Sequence, residues 1–203
     1  MLYSRSDRGR PSSDGDTSHG SLMALKTLLA LSHSPHAMPP NKLNRLASLT
    51  LAAIPSNCRN QGVCELCFAI VPKLDESLRA KYVKKGLDIF DTTQDQSKVV
   101  RLAKLFKYCS DLDRPDLIAL KAPVVERCLR TMASIPPNHI AYGVSSLKTA
   151  SQLPAKDPRR LSLLMDCSRS IEGISSAVDR QEMEYMLGES FIAIERYPEA
   201  VRA

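Results

Sequence analysis

Two pairs of potential metal ligands lie in the first third of the sequence. Cys64 and Cys67 form the only Cys-x-x-Cys pair, in "CELC", and His33 and His36 form a His-x-x-His pair. A zinc site of the Cys₂His₂ type would require all four side chains to converge. The cysteines lie inside an apolar helical run, where free cysteines pack as small hydrophobic groups, and no glycine-containing turn supports a zinc knuckle. We therefore expect no metal site.

The sequence also contains few residues arranged for catalysis. A cysteine–histidine nucleophile pair would need His139, which follows "PPN" at a predicted helix start, where a histidine more often caps the helix or is solvated. The sequence has no glycine-rich phosphate loop, no Walker sequence and no G-x-S-x-G elbow. A thioredoxin-like use of "CELC" would need a βαβ context, which is missing. We therefore expect no enzymatic activity and no cofactor.

The composition is that of a globular helical protein. The 203 residues are 43% hydrophobic and 25% charged, with 5% aromatic residues and no Trp, which favours packing of helix on helix. No run reaches the roughly 18 apolar residues of a membrane span, so none is expected. The sequence has six cysteines, most of them within helical patterns, which indicates a reducing compartment rather than a disulfide framework.

Apolar residues recur at helical spacing from Ser21 onward, and no segment alternates with period two. Residues 1–20, which are polar and rich in Gly and Ser, are expected to be a disordered segment or a targeting leader. Residues 21–203 are expected to form one α-helical repeat domain, with a kink or break at Pro123. The predicted helices lie within residues 21–34, 41–54, 60–74, 75–90, 95–112, 114–135, 136–153, 157–174 and 176–197.

Two segments about forty residues apart have the same pattern of helix, proline-marked turn and helix. The paired positions are Leu105 with Leu147, Pro115 with Pro158, and Cys128 with Cys167. Adjacent helical hairpins must stack to bury their apolar faces, so this period predicts an α-solenoid, a right-handed stack of antiparallel hairpins. The alternative is that leucine-rich amphipathic helices align with one another without forming a repeat.

The segments "LAKLFKYCSDLDRPDLIALKAPVVERCL" and "PPNHIAYGVSSLKTASQLPAKDPRRLSLLMDC" resemble a known repeat family. They are similar to the octotricopeptide and FAST-kinase-like repeats of organellar RNA-metabolism proteins, which often precede a RAP domain. "RLAKLF" and "SSLKTASQL" match the first helix of that repeat, and "DRPDL" and "KDPRRL" match the turn and the second helix. The resemblance implies a role in mitochondria or chloroplasts, on transcripts or within ribosomal particles. The sequence shows no RAP-type α/β domain.

The charge distribution indicates where such a protein would contact RNA. Residues 21–170 carry a net charge of +10, and residues 171–203 carry −4. The candidate contacts to the RNA backbone are Lys81, Lys84, Lys85, Lys98, Arg101, Lys104, Lys107, Arg127, Arg130, Arg159 and Arg160. Four of them, from Lys98 to Lys107, recur every three residues and are expected to form one basic stripe. Few aromatic residues are available for stacking on bases, which favours phosphate contact. The alternative is a solvated face that keeps the helices soluble.

These observations lead to two hypotheses. The first is a non-catalytic helical-repeat subunit of a ribonucleoprotein in the mitochondrial matrix, in a ribosome or an RNA-processing or editing assembly, with RNA and other protein subunits as partners. The second is a protein–protein scaffold in an organellar complex with no RNA contact. In both, the acidic segment 174–203 is expected to be a terminal helix that packs on residues 157–173 and closes the array.

Overall fold

The computed structural model describes residues 14–34, 38–93, 97–137, 139–154 and 156–194. Within these residues it contains nine α-helices, two short 3-10 helices and no strand, so the predicted all-α class is confirmed. None of these helices is both long and apolar enough to cross a membrane. The α-helices are α1 (Asp14–His33), α2 (Pro40–Ala53), α3 (Gln61–Ile70), α4 (Glu76–Thr92), α5 (Lys98–Asp111), α6 (Ala122–Met132), α7 (Ile140–Gln152), α8 (Pro158–Ile171) and α9 (Ala177–Ile192).

Side chains that accept hydrogen bonds from the first turn define most helix starts. The Asn60 side chain caps α3, accepting from the backbone N–H of Gly62, and Asp157 caps α8. Such caps satisfy amide groups that the helix itself leaves without acceptors. His139 caps α7, with its Nδ1 accepting the Ala141 N–H at 3.1 Å, and the residue is exposed. The expectation that His139 caps a helix is therefore confirmed.

Two helix starts differ most from those expected, those of α1 and α6. Helix α1 begins at Asp14, so residues 14–20 are helical and only residues 1–13 of the predicted leader lie outside the described residues. The break expected at Pro123 is present, and it takes the form of a helix start. A 3-10 helix at Ile118–Leu120 precedes α6, and Pro123 lies in the first turn of α6. Proline fits that position because its missing N–H would have no partner there.

The chain divides into two compact units, whereas the sequence suggests one helical domain over residues 21–203. Unit 1 contains α1 to α4 within residues 1–94, and unit 2 contains α5 to α9 within residues 95–203. In unit 1, α3 packs against α1 and α4, and α2 packs against α1 and α4. The side chains of Val63, Cys67 and Phe68 on α3 are completely buried. The Tyr82 hydroxyl donates to the Ala47 carbonyl at 2.8 Å and ties α4 to α2.

Helix α7 is the centre of unit 2, where it packs against α5, α6, α8 and α9. Its buried face is made of small residues, among them Gly143, Ser146 and Thr149. A Cβ atom at Gly143 would lie 2.8 Å from the Cβ of Ser170 on α8, closer than two such carbons approach. Glycine at this position therefore allows the close packing of α7 on α8.

The expected forty-residue repeat pairs Leu105 with Leu147 and Pro115 with Pro158. The two leucines occupy equal positions in their helices, whereas the two prolines do not. Helix α5 begins at Lys98 and α7 at Ile140, 42 residues apart. Leu105 and Leu147 are each the eighth residue of their helix, and both are buried. Pro158 is the first residue of α8, whereas Pro115 lies in the loop before α6, so these prolines are not equivalent. The helices that follow, α6 and α8, begin 36 residues apart.

Candidate nucleic-acid interface

Helix α4 presents Lys81 and Lys84 on the face opposite its buried side. The Lys84 ammonium group lies 2.9 Å from the Asp88 carboxylate one turn later, in an exposed ion pair. Lys85 is half-buried and donates to the Pro55 carbonyl at 3.0 Å, so it stabilises the loop between α2 and α3. Of these three lysines, only Lys81 is exposed without an ion pair or hydrogen bond in the described part of the chain.

The four cations of α5 do not form one straight stripe. A helix turns about 100° per residue, so a spacing of three residues shifts each side chain by about 60° around the axis. Lys98 and Lys107 therefore lie about half a turn apart. The Lys98 ammonium group donates to the Ser134 carbonyl after α6, Arg101 and Lys104 are half-buried, and Lys107 is exposed. The expectation of a single basic face on α5 is wrong for this geometric reason.

The four candidate arginines on α6 and α8 occupy different environments. Arg130 is exposed and opposite the buried face of α6, and Arg127 is half-buried. Arg159 forms ion pairs with Glu126 and Asp157, and its hydrogen bond lowers the pKa of the Asp157 carboxyl. Because two carboxylates already neutralise this guanidinium, it is a weak candidate for phosphate contact.

Arg160 lies on the packed side of α8, since it precedes the buried residues Leu163, Leu164 and Cys167 by one to two turns. Its Nε is buried and has no hydrogen-bond partner among the described residues. This half-buried side chain cannot track a phosphate chain along the surface of α8. Its assignment as an RNA contact is not supported by its environment.

Three of the eleven candidates therefore remain as exposed cations without an ion pair or hydrogen bond in the described part: Lys81, Lys107 and Arg130. Lys81 belongs to unit 1, and Lys107 and Arg130 belong to unit 2. Unit 2 also has five exposed cations that are not among the sequence-predicted candidates: Arg114, Lys148, Lys156, Arg169 and Arg180. Arg169 is ion-paired with Asp166. Lys148 could have been found from its position on the polar side of the pattern "SSLKTASQL".

The cysteine and histidine pairs do not converge in the described residues. Cys64 and Cys67 are fully buried in α3, and the Cys64 thiol donates to the Gly86 carbonyl at 3.2 Å. Burial, followed by the neighbouring Cys64, raises the pKa of Cys67, which keeps this thiol protonated. His33 is exposed, and His36 lies outside the described residues. No group of three or more His, Cys, Asp or Glu side chains in the described part is arranged to hold a metal ion.

A cavity of about 500 Å³ lies where the start of α6 meets the loop between α7 and α8. The charged groups that line it are already paired. Lys121, whose side chain is 8% exposed, contacts Asp113 at 3.0 Å, and Arg159 contacts Glu126 and Asp157. The described residues that line the cavity include no histidine and no cysteine.

The described residues form an all-helical fold, and the chain divides into two compact units. Comparison of the chain with protein-family models, curated proteins and solved structures gives no significant match in any of the three. The resemblance to octotricopeptide and FAST-kinase-like repeats therefore stays a prediction from the sequence.

Proposed function

We propose that this protein is a non-catalytic α-helical-repeat subunit of a mitochondrial ribonucleoprotein, such as the ribosome or an RNA-processing or editing assembly. It contacts the RNA backbone through exposed cations and neighbouring subunits through its other surfaces. The observation that carries the proposal is the position of Lys81, Lys107 and Arg130. Each is exposed, has no ion pair in the described part, and lies on the outward side of its own helix, α4, α5 or α6.

The packing order in unit 2 supports the repeat part of the proposal. Helix α7 packs on its neighbours in sequence, α6 and α8, and on the helices two positions away, α5 and α9. In a solenoid each hairpin contacts only the adjacent hairpins, which produces this order of contacts. The buried pair Leu105 and Leu147, at equal positions of α5 and α7, is also consistent with a repeated hairpin.

Contact with the RNA backbone is favoured over reading of bases. Among the described aromatic residues only Tyr185 is exposed, and it lies on the acidic helix α9. Proteins that bind single-stranded RNA bases stack them on exposed aromatic rings, and the described residues offer no exposed ring beside Lys81, Lys107 or Arg130. Lysine and arginine at Lys81, Lys107 and Arg130 can instead neutralise phosphates irrespective of sequence.

A protein scaffold without RNA contact is the second candidate function, and one observation favours it. Most of the candidate cations already interact with groups of the same chain: Lys85 and Lys98 donate hydrogen bonds to carbonyls, and Arg159 forms ion pairs. At the same time α9 exposes Val178, Tyr185 and Ile192, apolar or aromatic side chains that a partner protein could cover.

Salt-dependent RNA binding distinguishes the two functions. The probe is a fluorescent RNA duplex of about 20 base pairs, titrated with the protein between about 50 and 200 mM KCl. Each phosphate contact contributes about 0.9 to the slope of log K against log salt. The triple variant Lys81→Gln, Lys107→Gln and Arg130→Gln should lower the slope by about 2 to 3 and weaken binding at least tenfold.

The control is a triple variant with the same loss of charge at other exposed positions, Lys26→Gln, Arg45→Gln and Lys73→Gln. It should weaken binding no more than about threefold. Equal losses in the two triple variants would assign binding to net charge alone. A wild-type protein that shows no salt-dependent binding would exclude the RNA function and leave the scaffold.

A further inference from the structure

Helices α7 and α9 form a groove in unit 2 that the RNA proposal does not use. Its volume is about 360 Å³. One wall is a single face of α7, and the other is a single face of α9, because the lining residues recur at spacings of three or four. The lining consists of Ile140, Val144, Leu147 and Lys148 from α7, and of Asp179, Glu182, Met183 and Met186 from α9.

The groove has an apolar floor that is open to solvent. Ile140 is 44% exposed and Met186 is 41% exposed, while Leu147 and Met183 are buried below them. The lining spans residues 140–148 of α7 and 179–186 of α9. At a rise of about 1.5 Å per residue, each wall extends about 10 to 12 Å, or about two turns. A groove of this length accepts two or three aliphatic side chains from one face of a helix. Methionine side chains line such grooves well because they adapt to different partners.

The charges at the rim determine which partner fits. Asp179 and Glu182 lie on the α9 wall, and Lys148 is the only cation of the lining. The single arginine of α9, Arg180, directs its Nε to the Ile174 carbonyl at 3.2 Å, so it lies on another side of the helix. The carboxylates repel RNA, and a second copy of this chain would bring the same acidic groups together. Lysine or arginine side chains complement them.

We propose that this groove binds a basic amphipathic helix of a partner protein. Aliphatic residues of that helix, spaced at i, i+3 or i+4, and i+7, enter the groove between Ile140 and Met186. Its lysine or arginine residues contact Asp179 and Glu182. The inference rests on the protein-contacting part of the proposed function and is independent of the RNA contacts.

Binding of designed peptides tests the inference. The probe is a fluorescent helix of about 16 residues, with Leu at the three positions i, i+4 and i+7 and Arg on both sides of them. The comparison peptide has Glu in place of every Arg. The full chain should bind the Arg peptide saturably and the Glu peptide at least tenfold more weakly. No saturable binding of the Arg peptide up to about 100 μM, or equal binding of the two peptides, would overturn the inference.

Variants of the groove locate the binding. The double variant Asp179→Lys and Glu182→Lys should lose at least tenfold in affinity for the Arg peptide. Its matched control, Glu172→Lys and Glu189→Lys, changes the net charge equally at exposed positions outside the lining and should lose less than about threefold. Equal losses would show that net charge, and not the groove, attracts the peptide.

Two further measurements identify the occupant. If the Arg peptide binds only after residues 195–203 are removed, the chain itself fills the groove and the inference is wrong. The inference is also wrong if sedimentation shows that the protein is a dimer and that Met186→Asp converts it to a monomer. The occupant of the groove would then be a second copy of the chain. RNA binding by the Asp179→Lys and Glu182→Lys variant should equal or exceed that of the wild type. Failure of the groove inference is therefore distinguishable from failure of the RNA function.

Discussion

Single residues at the α7–α8 contact determine how closely the helices of unit 2 approach. Gly143 faces Ser170, whose hydroxyl donates to the Pro137 and Asp166 carbonyls, both at 3.0 Å. Since the nearest atom is the Ser170 Cβ, which is bonded to the backbone, a rotamer change cannot move it away. Any side chain at position 143 must therefore push the two helices apart.

Replacing Gly143 with alanine should destabilise the protein by about 1 to 2 kcal/mol. Overpacking costs about 1 to 3 kcal/mol, and alanine regains up to about 1 kcal/mol of helix propensity. Chemical denaturation followed by circular dichroism gives the change in the free energy of unfolding. In a double-mutant cycle Ser170→Gly should recover part of the loss. The matched control is Gly20→Ala in α1, where an added Cβ meets nothing within 4 Å, so stability should stay equal or rise. A Gly143→Ala protein as stable as the Gly20→Ala protein would contradict the close contact.

The environment of each cation was the part of the candidate site that the sequence could not predict. Lys85 and Lys98 hydrogen-bond to the carbonyls of Pro55 and Ser134, about thirty or more residues away along the chain. Such partners depend on the tertiary fold, whereas helical periodicity indicates only which side of a helix a residue occupies. Periodicity was sufficient for Lys81, Lys107 and Arg130, because they lie opposite buried faces. For Arg160, its spacing to Leu163, Leu164 and Cys167 indicates the packed side of α8, but the half-burial of its side chain could be found only from the structure.

At the scale of elements, helix α9 covers apolar surface of α8 and α7. Its buried residues Met183, Leu187 and Phe191 recur every four positions, and its opposite face carries the exposed residues Tyr185 and Glu189. The expectation that the acidic last helix packs on α8 is confirmed. Met186 lies beside this buried row but is 41% exposed and lines the groove.

A chain truncated after Gly173 should therefore lose cooperative unfolding or aggregate. Each of the three buried side chains stabilises the protein by about 1.5 to 3 kcal/mol, so their removal is comparable to the total stability of about 5 to 15 kcal/mol of an ordinary domain. Thermal unfolding and binding of a hydrophobic dye measure the effect. A chain ending at Ile194 retains α9 and serves as the control. A soluble, monomeric and equally stable chain ending at Gly173 would show that α9 contributes no packing energy.

The existence of the helices could be predicted, and several of their boundaries could not. Apolar periodicity predicts all nine α-helices of the described residues, although α1 only from Ser21 onward. Local interactions at the turns determine where each helix begins and ends, and they shift several boundaries from the predicted positions. "DRPDL" and "KDPRRL" look alike in sequence, but Asp157 caps a helix that starts at Pro158, whereas Pro115 precedes a 3-10 helix and a later start at Ala122. Leu117, between Pro115 and the 3-10 helix, is completely buried, and such burial depends on the tertiary fold, which local sequence does not specify.

At the scale of the whole molecule, the division into two units predicts two cooperative folding units. The helix contacts described above all lie within residues 1–94 or within residues 95–203, and each unit buries its own core. A two-unit chain need not unfold in one transition. We therefore expect amide hydrogen exchange to reveal two groups of helices, α1 to α4 and α5 to α9, each with its own opening free energy.

Glycine substitutions in each unit test this expectation. A Cβ at Gly86 of α4 would lie 2.8 Å from the Phe68 ring, so Gly86→Ala perturbs the core of unit 1 as Gly143→Ala perturbs unit 2. Gly86→Ala should accelerate exchange in α3 and α4 and leave α7 and α8 within about threefold of the wild type. Gly143→Ala should do the reverse. Uniform acceleration in all helices by either substitution would mean that the chain unfolds as one unit. If the two units unfold independently, Gly143→Ala can weaken peptide binding by unit 2 without changing the surroundings of Lys81 in unit 1.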